Sequence, residues 1–91
     1  MAKILVVDDE RHIRSTLKDV LGFENYEVDV AEDGIQGAEM ALATPYDLIY
    51  LDVKMPGMDG IDVLERLVGN VRSTIVMISG HGNIDTAVEA V

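Results

Sequence analysis

Two short apolar runs, each followed by aspartate, constrain the fold of this chain more than any other feature. Residues 3–7 read KILVV and precede Asp8 and Asp9, and residues 47–51 read DLIYL and precede Asp52. Short runs with few polar interruptions are typical of parallel strands that are buried on both faces. In an open α/β sheet, functional groups collect beyond the carboxyl ends of such strands. We therefore expect the three carboxylates to lie in one pocket.

Three acids in one pocket favour a bound cation. Like charges about 4 Å apart repel each other by about 4 kcal/mol at an effective dielectric constant of 20. A single Asp after a strand is often only a turn former or a helix cap, but two in succession, matched by a third after another strand, favour a site. Hard oxygen ligands suit Mg²⁺. No His or Cys lies at these strand ends, so a zinc-type site is disfavoured.

The rest of the chain alternates strand-like and helix-like segments, which predicts an α/β fold with a flavodoxin-like doubly wound parallel sheet. We predict strands over residues 3–7, 26–31, 47–51 and 73–78. The helices are expected over residues 10–22, from Asp33 to before Pro45, over residues 61–68, and after Asn83. Asp33, Asp59 and Asn83 are the expected N-caps, and the chain reaches Val91 inside the fourth helix.

Composition narrows the class of protein. The chain has 91 residues, enough for one small domain, and a net charge of −10 from 17 acids against 7 Lys and Arg. That charge argues against direct contact between this segment and nucleic acid, which requires a basic patch. We expect no membrane segment, because no apolar run approaches the ~20 residues that span a bilayer. Without cysteine or a signal-like start, the expected location is the cytoplasm.

A hydroxyl follows the fourth predicted strand. Ser79 comes directly after Ile75-Val76-Met77-Ile78, and Gly80 permits close approach of the backbone. Taken alone, Ser79 would be interpreted as a loop or N-cap serine, but beside Asp52 it can donate to a phosphoryl oxygen. A carboxylate can act as a nucleophile and form an aspartyl-phosphate, with Mg²⁺ neutralising the surrounding charge.

These segments resemble the receiver domain of two-component response regulators. The resemblance rests on ILVVDDE at residues 4–10, on DLIYLDVKMPGMDG at residues 47–60, and on Ser79-Gly80. It runs over the whole chain in the order that the family shows, and the segment from Asp52 to Gly60 is its most specific part. The resemblance implies a signalling domain that accepts a phosphoryl group, and not an enzyme with a separate substrate.

The resemblance also implies roles for individual residues. Asp52 would be the phosphoacceptor, and Asp9, Asp52 and the backbone carbonyl of Lys54 would bind Mg²⁺ directly. Asp8 would hold a metal-bound water, and Ser79 would be the switch hydroxyl. The Lys54 side chain and His81 would border the attacking water and tune dephosphorylation. For His81, a loop histidine without a role is an equally good interpretation, and His12 is expected to be a surface residue.

The same resemblance implies partners. A sensor histidine kinase would supply the phosphoryl group. The run from Ile78 to Val88 is similar to receivers of sigma-54-dependent transcriptional activators. In those proteins an ATPase domain and a DNA-binding domain follow the receiver, so the parent protein is expected to carry both.

The chain departs from the family pattern in the last of its five β/α units, which we expect to be missing. The receiver domain would then occupy residues 1–91 and be incomplete at its C-terminus, and no lysine follows Lys54 to pair with the phosphoryl group. With strand order 2-1-3-4, the fourth strand becomes an exposed edge that invites association. We therefore expect a homodimer.

Other functions are compatible with parts of the sequence. The main alternative is a receiver-like module that dimerises or docks without phosphorylation. A phosphatase with an aspartyl nucleophile would need a second acid two residues after Asp52, where Lys54 stands. A flavodoxin is disfavoured because no Ser/Thr/Gly-rich phosphate loop follows the first strand.

Overall fold

The computed structural model describes residues 1–78 in full and the backbone of residues 84–89. Within that part of the chain, strands and helices alternate as far as the fourth strand. The strands are β1 (Lys3–Val7), β2 (Glu27–Ala31), β3 (Leu48–Asp52), β4 (Thr74–Ile78) and β5 (Ile84–Glu89). The helices are α1 (Arg11–Phe23), α2 (Gly34–Ala43) and α3 (Gly60–Leu67).

The strands form one sheet in the order β2-β1-β3-β4-β5. The first four are parallel, and the register between β1 and β3 places Val6 beside Tyr50 and Val7 beside Leu51. The predicted α/β fold with parallel strand order 2-1-3-4 is therefore confirmed. Among β1 to β4, β1 is the most deeply buried strand, because Leu5, Val6 and Val7 are all inaccessible to solvent.

The segment that was predicted to begin a fourth helix is strand β5, so that prediction is wrong. β5 pairs antiparallel with β4, from Thr74 beside Glu89 to Ile78 beside Ile84. The prediction that β4 is an exposed edge is wrong for the same reason. The helix was predicted from local signals, Asp85 and a cap at Asn83, and Asn83 lies outside the described residues. Pairing satisfies the free backbone groups of β4 instead, and the β-branched residues alternating along residues 84–88 suit a strand.

The helices cover both faces of the sheet. α2 and α3 pack against one face, where Leu5, Val7, Ile49, Leu51 and Ile75 form the main core with Val63 and Leu67 of α3. α1 lies over the other face, beside β1 and β2, and none of its side chains is fully buried. No helix in the described part of the chain is long and apolar enough to cross a membrane.

Two of the three predicted N-caps are observed. The Asp33 carboxylate accepts a hydrogen bond from the Gln36 backbone N–H at 2.8 Å and begins α2. Asp59 and Asp62 form a reciprocal capping box at the start of α3. Gly60, the first residue of α3, lies against the backbone of Asp52 and Val53. These contacts hold the β3–α3 loop close to the end of β3, where the site lies.

Candidate functional site

The three predicted carboxylates meet at the carboxyl ends of β1 and β3. Oxygen atoms of Asp8, Asp9 and Asp52 all lie within 4.8 Å of one another. Asp8 is 4% exposed and Asp52 is 6% exposed, whereas Asp9 is open to solvent. We call these three residues the acid cluster. It forms because β1 and β3 are adjacent and parallel, so residues that follow them reach the same edge of the sheet.

Burial and mutual repulsion both disfavour charge in the acid cluster. The pKa of Asp52 is raised to about 6, first by burial and then by the negative charge of the neighbouring Asp8 carboxylate. The pKa of Asp8 is also raised, first by burial and then by Asp9 and Glu10. Among the described residues the one ion pair joins Lys3 to Glu27, away from this cluster. In the part of the chain that the structure describes, no Lys or Arg side chain forms an ion pair with these acids.

Hydrogen bonds fix Asp8 more firmly than the other two acids. Its Oδ1 accepts from the Glu10 backbone N–H at 2.9 Å, and its Oδ2 lies 3.5 Å from the Tyr50 hydroxyl. Its backbone carbonyl accepts from Arg14 Nη1 at 2.8 Å. Asp52 receives a longer bond, 3.3 Å, from the Lys54 backbone N–H to Oδ1. Asp8 is thus oriented by residues on β3 and α1 as well as by its own loop.

The donor set fits a hard divalent cation. Three carboxylates that approach within 4.8 Å offer only oxygen, two of them from buried side chains, and Asp9 leaves one side open to water. Mg²⁺ prefers such sites, where one or two carboxylates bind it and several waters complete its shell. The raised pKa values have the same implication, because a cation would relieve the repulsion that causes part of them.

Of the remaining predicted site residues, the structure describes Lys54 but not Ser79 or His81. The Lys54 side chain is exposed, and its place two residues after Asp52 puts it at the rim of the site. Ser79 and His81 lie outside the described residues, so their predicted roles stay predictions. Ile78, which precedes Ser79, pairs with Asp52 across β3 and β4. His12 is exposed on α1, as predicted.

Sequence reasoning missed Tyr50 and Arg14. Tyr50 was assigned only to the apolar run of β3, although its position two residues before Asp52 places both side chains on one face of the strand. That period of two was the available signal. Arg14 lies within the helix predicted over residues 10–22, and nothing in the sequence indicates that its guanidinium reaches the carbonyl of Asp8.

Comparison with known proteins identifies the family. The response regulator receiver domain model matches residues 4–91. The chain is 45% identical over 80 residues to the transcriptional regulatory protein ResD of Bacillus subtilis, covering 88% of this chain and 33% of ResD. It is 36% identical over 89 residues to sporulation initiation phosphotransferase F of the same organism, covering 97% of this chain and 72% of that protein. The chain thus spans about a third of ResD and most of the second relative.

Solved structures agree with the sequence comparison. The response regulator protein TrrA of Thermotoga maritima, in complex with Mg²⁺ and BeF, superimposes with a TM-score of 0.80 at 37% identity, over 89% of this chain and 73% of that one. A complex of the histidine kinase ThkA with TrrA gives a TM-score of 0.83 at 36% identity, over 94% and 75% of the two chains. The chain belongs to the response regulator receiver family, the phosphoacceptor domains of two-component signalling.

Proposed function

We propose that Asp52 is the residue that accepts the phosphoryl group. The observation that carries this proposal is the position of Asp52 in the acid cluster, 6% exposed at the end of a central strand and within 4.8 Å of Asp8 and Asp9. A pKa of about 6 leaves the Asp52 carboxylate mostly ionised near pH 7 and therefore nucleophilic. The N–H of Lys54 donates to Oδ1 of Asp52 at 3.3 Å and so helps to orient the carboxylate.

The other acids would bind the cation. Asp9 and Asp52 are the proposed direct Mg²⁺ ligands, together with the backbone carbonyl of Lys54, and Asp8 would hold a metal-bound water. When bound, Mg²⁺ supplies positive charge that neutralises the acids and the incoming phosphoryl oxygens. Asp8 suits the outer position because it is buried and held by donors on both sides. Ser79 is proposed as the hydroxyl donor, and Lys54 and His81 as the residues that tune dephosphorylation.

A sensor histidine kinase is the proposed phosphoryl donor. Support comes from the complex of ThkA with TrrA, whose receiver is 36% identical to this chain. We further propose a transcriptional output in the cytoplasm, because ResD is named as a transcriptional regulatory protein. The finer assignment to sigma-54-dependent activators, with a following ATPase and DNA-binding domain, stays a prediction from residues 78–88, and the relatives reported above do not support it.

Phosphorylation with a small-molecule donor tests the central proposal. The chain is incubated with acetyl phosphate and Mg²⁺, and intact-protein mass spectrometry measures the addition of one phosphoryl group. We expect labelling of the wild type, none with EDTA, and none for Asp52→Asn. Asp47→Asn is the matched control, because Asp47 lies at the opposite end of β3 and should leave labelling unchanged. Equal labelling of Asp52→Asn and wild type would refute Asp52 as the acceptor.

The second function to be tested is that of a receiver-like module that dimerises or docks without phosphorylation. It predicts a dimer whose dissociation constant does not respond to phosphorylation or to Asp52→Asn. Sedimentation of the wild type and Asp52→Asn, with and without acetyl phosphate, measures this directly. A burial pattern that keeps two acids inside the protein at a free-energy cost favours the phosphoacceptor function, because docking alone would not require them.

A further inference from the structure

Among the described residues, Tyr50 is the one that lies within a strand and carries an uncharged donor toward the acid cluster. It is half-buried in β3, two residues before Asp52, and it pairs with Val6 of β1. Because Asp8 follows Val6 by two residues, Tyr50 and Asp8 project from the same face of adjacent strands. Its ring is absent from the main core, which lies on the opposite face with α2 and α3.

Among the described residues, the Tyr50 hydroxyl is the one donor that approaches the second carboxylate oxygen of Asp8. Oδ1 of Asp8 has the Glu10 N–H at 2.9 Å, and among the described residues Oδ2 has the Tyr50 hydroxyl at 3.5 Å. Asp8 is 4% exposed, so bulk water cannot replace a missing donor without a change of structure. The 3.5 Å separation exceeds the usual 2.5–3.0 Å for this type of bond. The contact is therefore a loose one.

We propose that Tyr50 is a positioning residue that orients Asp8 and thereby strengthens Mg²⁺ binding. This rests on the proposed function, in which Asp8 holds a metal-bound water. Removal of a hydrogen bond to a direct metal ligand typically weakens metal affinity 10–100-fold. Tyr50 acts one step further out, on an acid that holds a metal-bound water, so we expect an effect at the low end of that range. A neutral hydroxyl suits this role better than a lysine would, because it supports the carboxylate without adding positive charge that repels the cation.

Removal of one hydroxyl tests the proposal. Isothermal titration calorimetry measures the Mg²⁺ dissociation constant of wild type and Tyr50→Phe, which keeps the ring. We expect Mg²⁺ to bind Tyr50→Phe about 10-fold more weakly. Tyr46→Phe is the matched control, since the Tyr46 hydroxyl donates to Asp29 rather than to the acid cluster. Its Mg²⁺ affinity should equal that of the wild type.

A measurement on the unsubstituted protein keeps the proposal testable if Tyr50→Phe folds poorly. With ¹³C-labelled tyrosine, the phenolic carbon signal of Tyr50 should shift as Mg²⁺ is added, at the same midpoint as calorimetry reports. The corresponding signal of Tyr46 should stay in place.

The outcomes separate this inference from the function on which it rests. Unchanged Mg²⁺ affinity in Tyr50→Phe, or a Tyr50 signal that ignores Mg²⁺, overturns the positioning role while wild-type binding and phosphorylation stand. A wild type that binds no Mg²⁺ overturns both proposals. A tenfold loss confined to Tyr50→Phe, with Tyr46→Phe unaffected, is the expected result.

Discussion

Tyr46, just before β3, and Tyr50, within β3, each lie near an aspartate of the sheet, and their surroundings differ. The Tyr46 hydroxyl donates to Asp29 Oδ2 at 2.7 Å, and the Tyr46 carbonyl accepts from Ser73 Oγ at 2.7 Å. The Tyr50 hydroxyl lies 3.5 Å from Asp8. Burial is the largest cause of a raised pKa for both phenols, to about 12 for Tyr50. The first contact is a completed bond, and the second is a loose one.

The acids at the amino and carboxyl ends of the sheet also differ in how well they are partnered. At the amino end, two acids contact different groups of Lys3: its backbone N–H donates to Asp47 at 2.7 Å, and its Nζ lies 3.9 Å from Glu27. At the carboxyl end three acids are crowded together, and two of them are buried. The amino end is therefore arranged for stability, and the carboxyl end retains repulsion that a ligand can relieve. Unfolding and binding experiments should separate these two roles.

The largest expected loss of stability comes from adding a side chain at Gly60, near the carboxyl end of the sheet. A Cβ at Gly60 would overlap the carbonyl oxygen of Asp52 and approach the Val53 Cα within 2.8 Å. Because those neighbours are backbone atoms, we expect Gly60→Ala to lower the free energy of unfolding by about 3 kcal/mol, measured by urea denaturation. Gly22→Ala is the control, since nothing lies within 4 Å of its Cβ. A Gly60→Ala protein as stable as wild type would show that the β3–α3 loop can shift to accommodate the added methyl group.

Removal of the Asp52 charge should stabilise the protein when no divalent cation is present. The folded pKa of about 6 exceeds the ordinary 3.8, so the ionised form is disfavoured by folding. This penalty is complete above pH ~6 and disappears as the pH falls toward ~4. We expect Asp52→Asn to raise the free energy of unfolding by about 2 kcal/mol at pH 7.5 in EDTA, and by little near pH 4.

Urea titrations at the two pH values measure this difference. Asp47→Asn is the control at the amino end, where the acid is exposed and bonded to the Lys3 N–H, and it should bring no stabilisation. An Asp52→Asn protein that is less stable than wild type at pH 7.5 would contradict the assignment of repulsion to this end of the sheet.

The two tyrosine hydroxyls should differ in their effects on the cation-free protein. Tyr46→Phe removes a 2.7 Å bond and leaves a carboxylate without its donor, so we expect a loss of about 1–2 kcal/mol in the free energy of unfolding. Tyr50→Phe removes a 3.5 Å contact and should cost less. Thermal or urea unfolding in EDTA measures both. Equal losses would remove the distinction between a completed bond and a loose one.

The smallest effect is expected at an acid that lies near the site without belonging to the acid cluster. The Asp59 carboxylate accepts from the Asp62 N–H at 2.9 Å, and the Asp62 carboxylate accepts from the Asp59 N–H at 3.2 Å. Asp59→Ala should cost about 1 kcal/mol of unfolding free energy and leave the Mg²⁺ dissociation constant nearly unchanged. Urea unfolding and calorimetry measure the two quantities. A large loss of Mg²⁺ affinity would extend the site beyond the three acids.

The sequence predicted those parts of the fold whose signals are local and mutually consistent. β1 and β3 follow from uninterrupted apolar runs, and α2 and α3 follow from Asp33 and Asp59 at their starts. The acid cluster follows from the same reasoning, since parallel topology alone brings the strand ends together. These features need no knowledge of distant contacts.

The remaining features depend on contacts between distant segments. Residues 84–89 carry helix signals, but the free edge of β4 decides their conformation. From the sequence alone, Tyr50 is one more residue of an apolar run. Its hydroxyl approaches Asp8 because β1 lies beside β3 in the folded sheet. The large apolar side chains of α2 are not its buried ones, since Ile35 and Leu42 are 56% and 46% exposed. In that helix Gly37 and Ala38 are buried instead, and the backbone approaches Val7 closely.

The limited burial of α1 against the sheet affects its dynamics. A helix with no fully buried side chain loses little apolar contact when it lifts from the sheet, so its amide hydrogens should exchange with solvent ahead of those in β1 and β3. α1 begins two residues after Asp9, and its Arg14 holds the carbonyl of Asp8. Each opening therefore loosens one wall of the acid cluster. Cation binding to the acid cluster and opening of α1 are therefore thermodynamically linked. A bound cation should slow amide hydrogen exchange along α1.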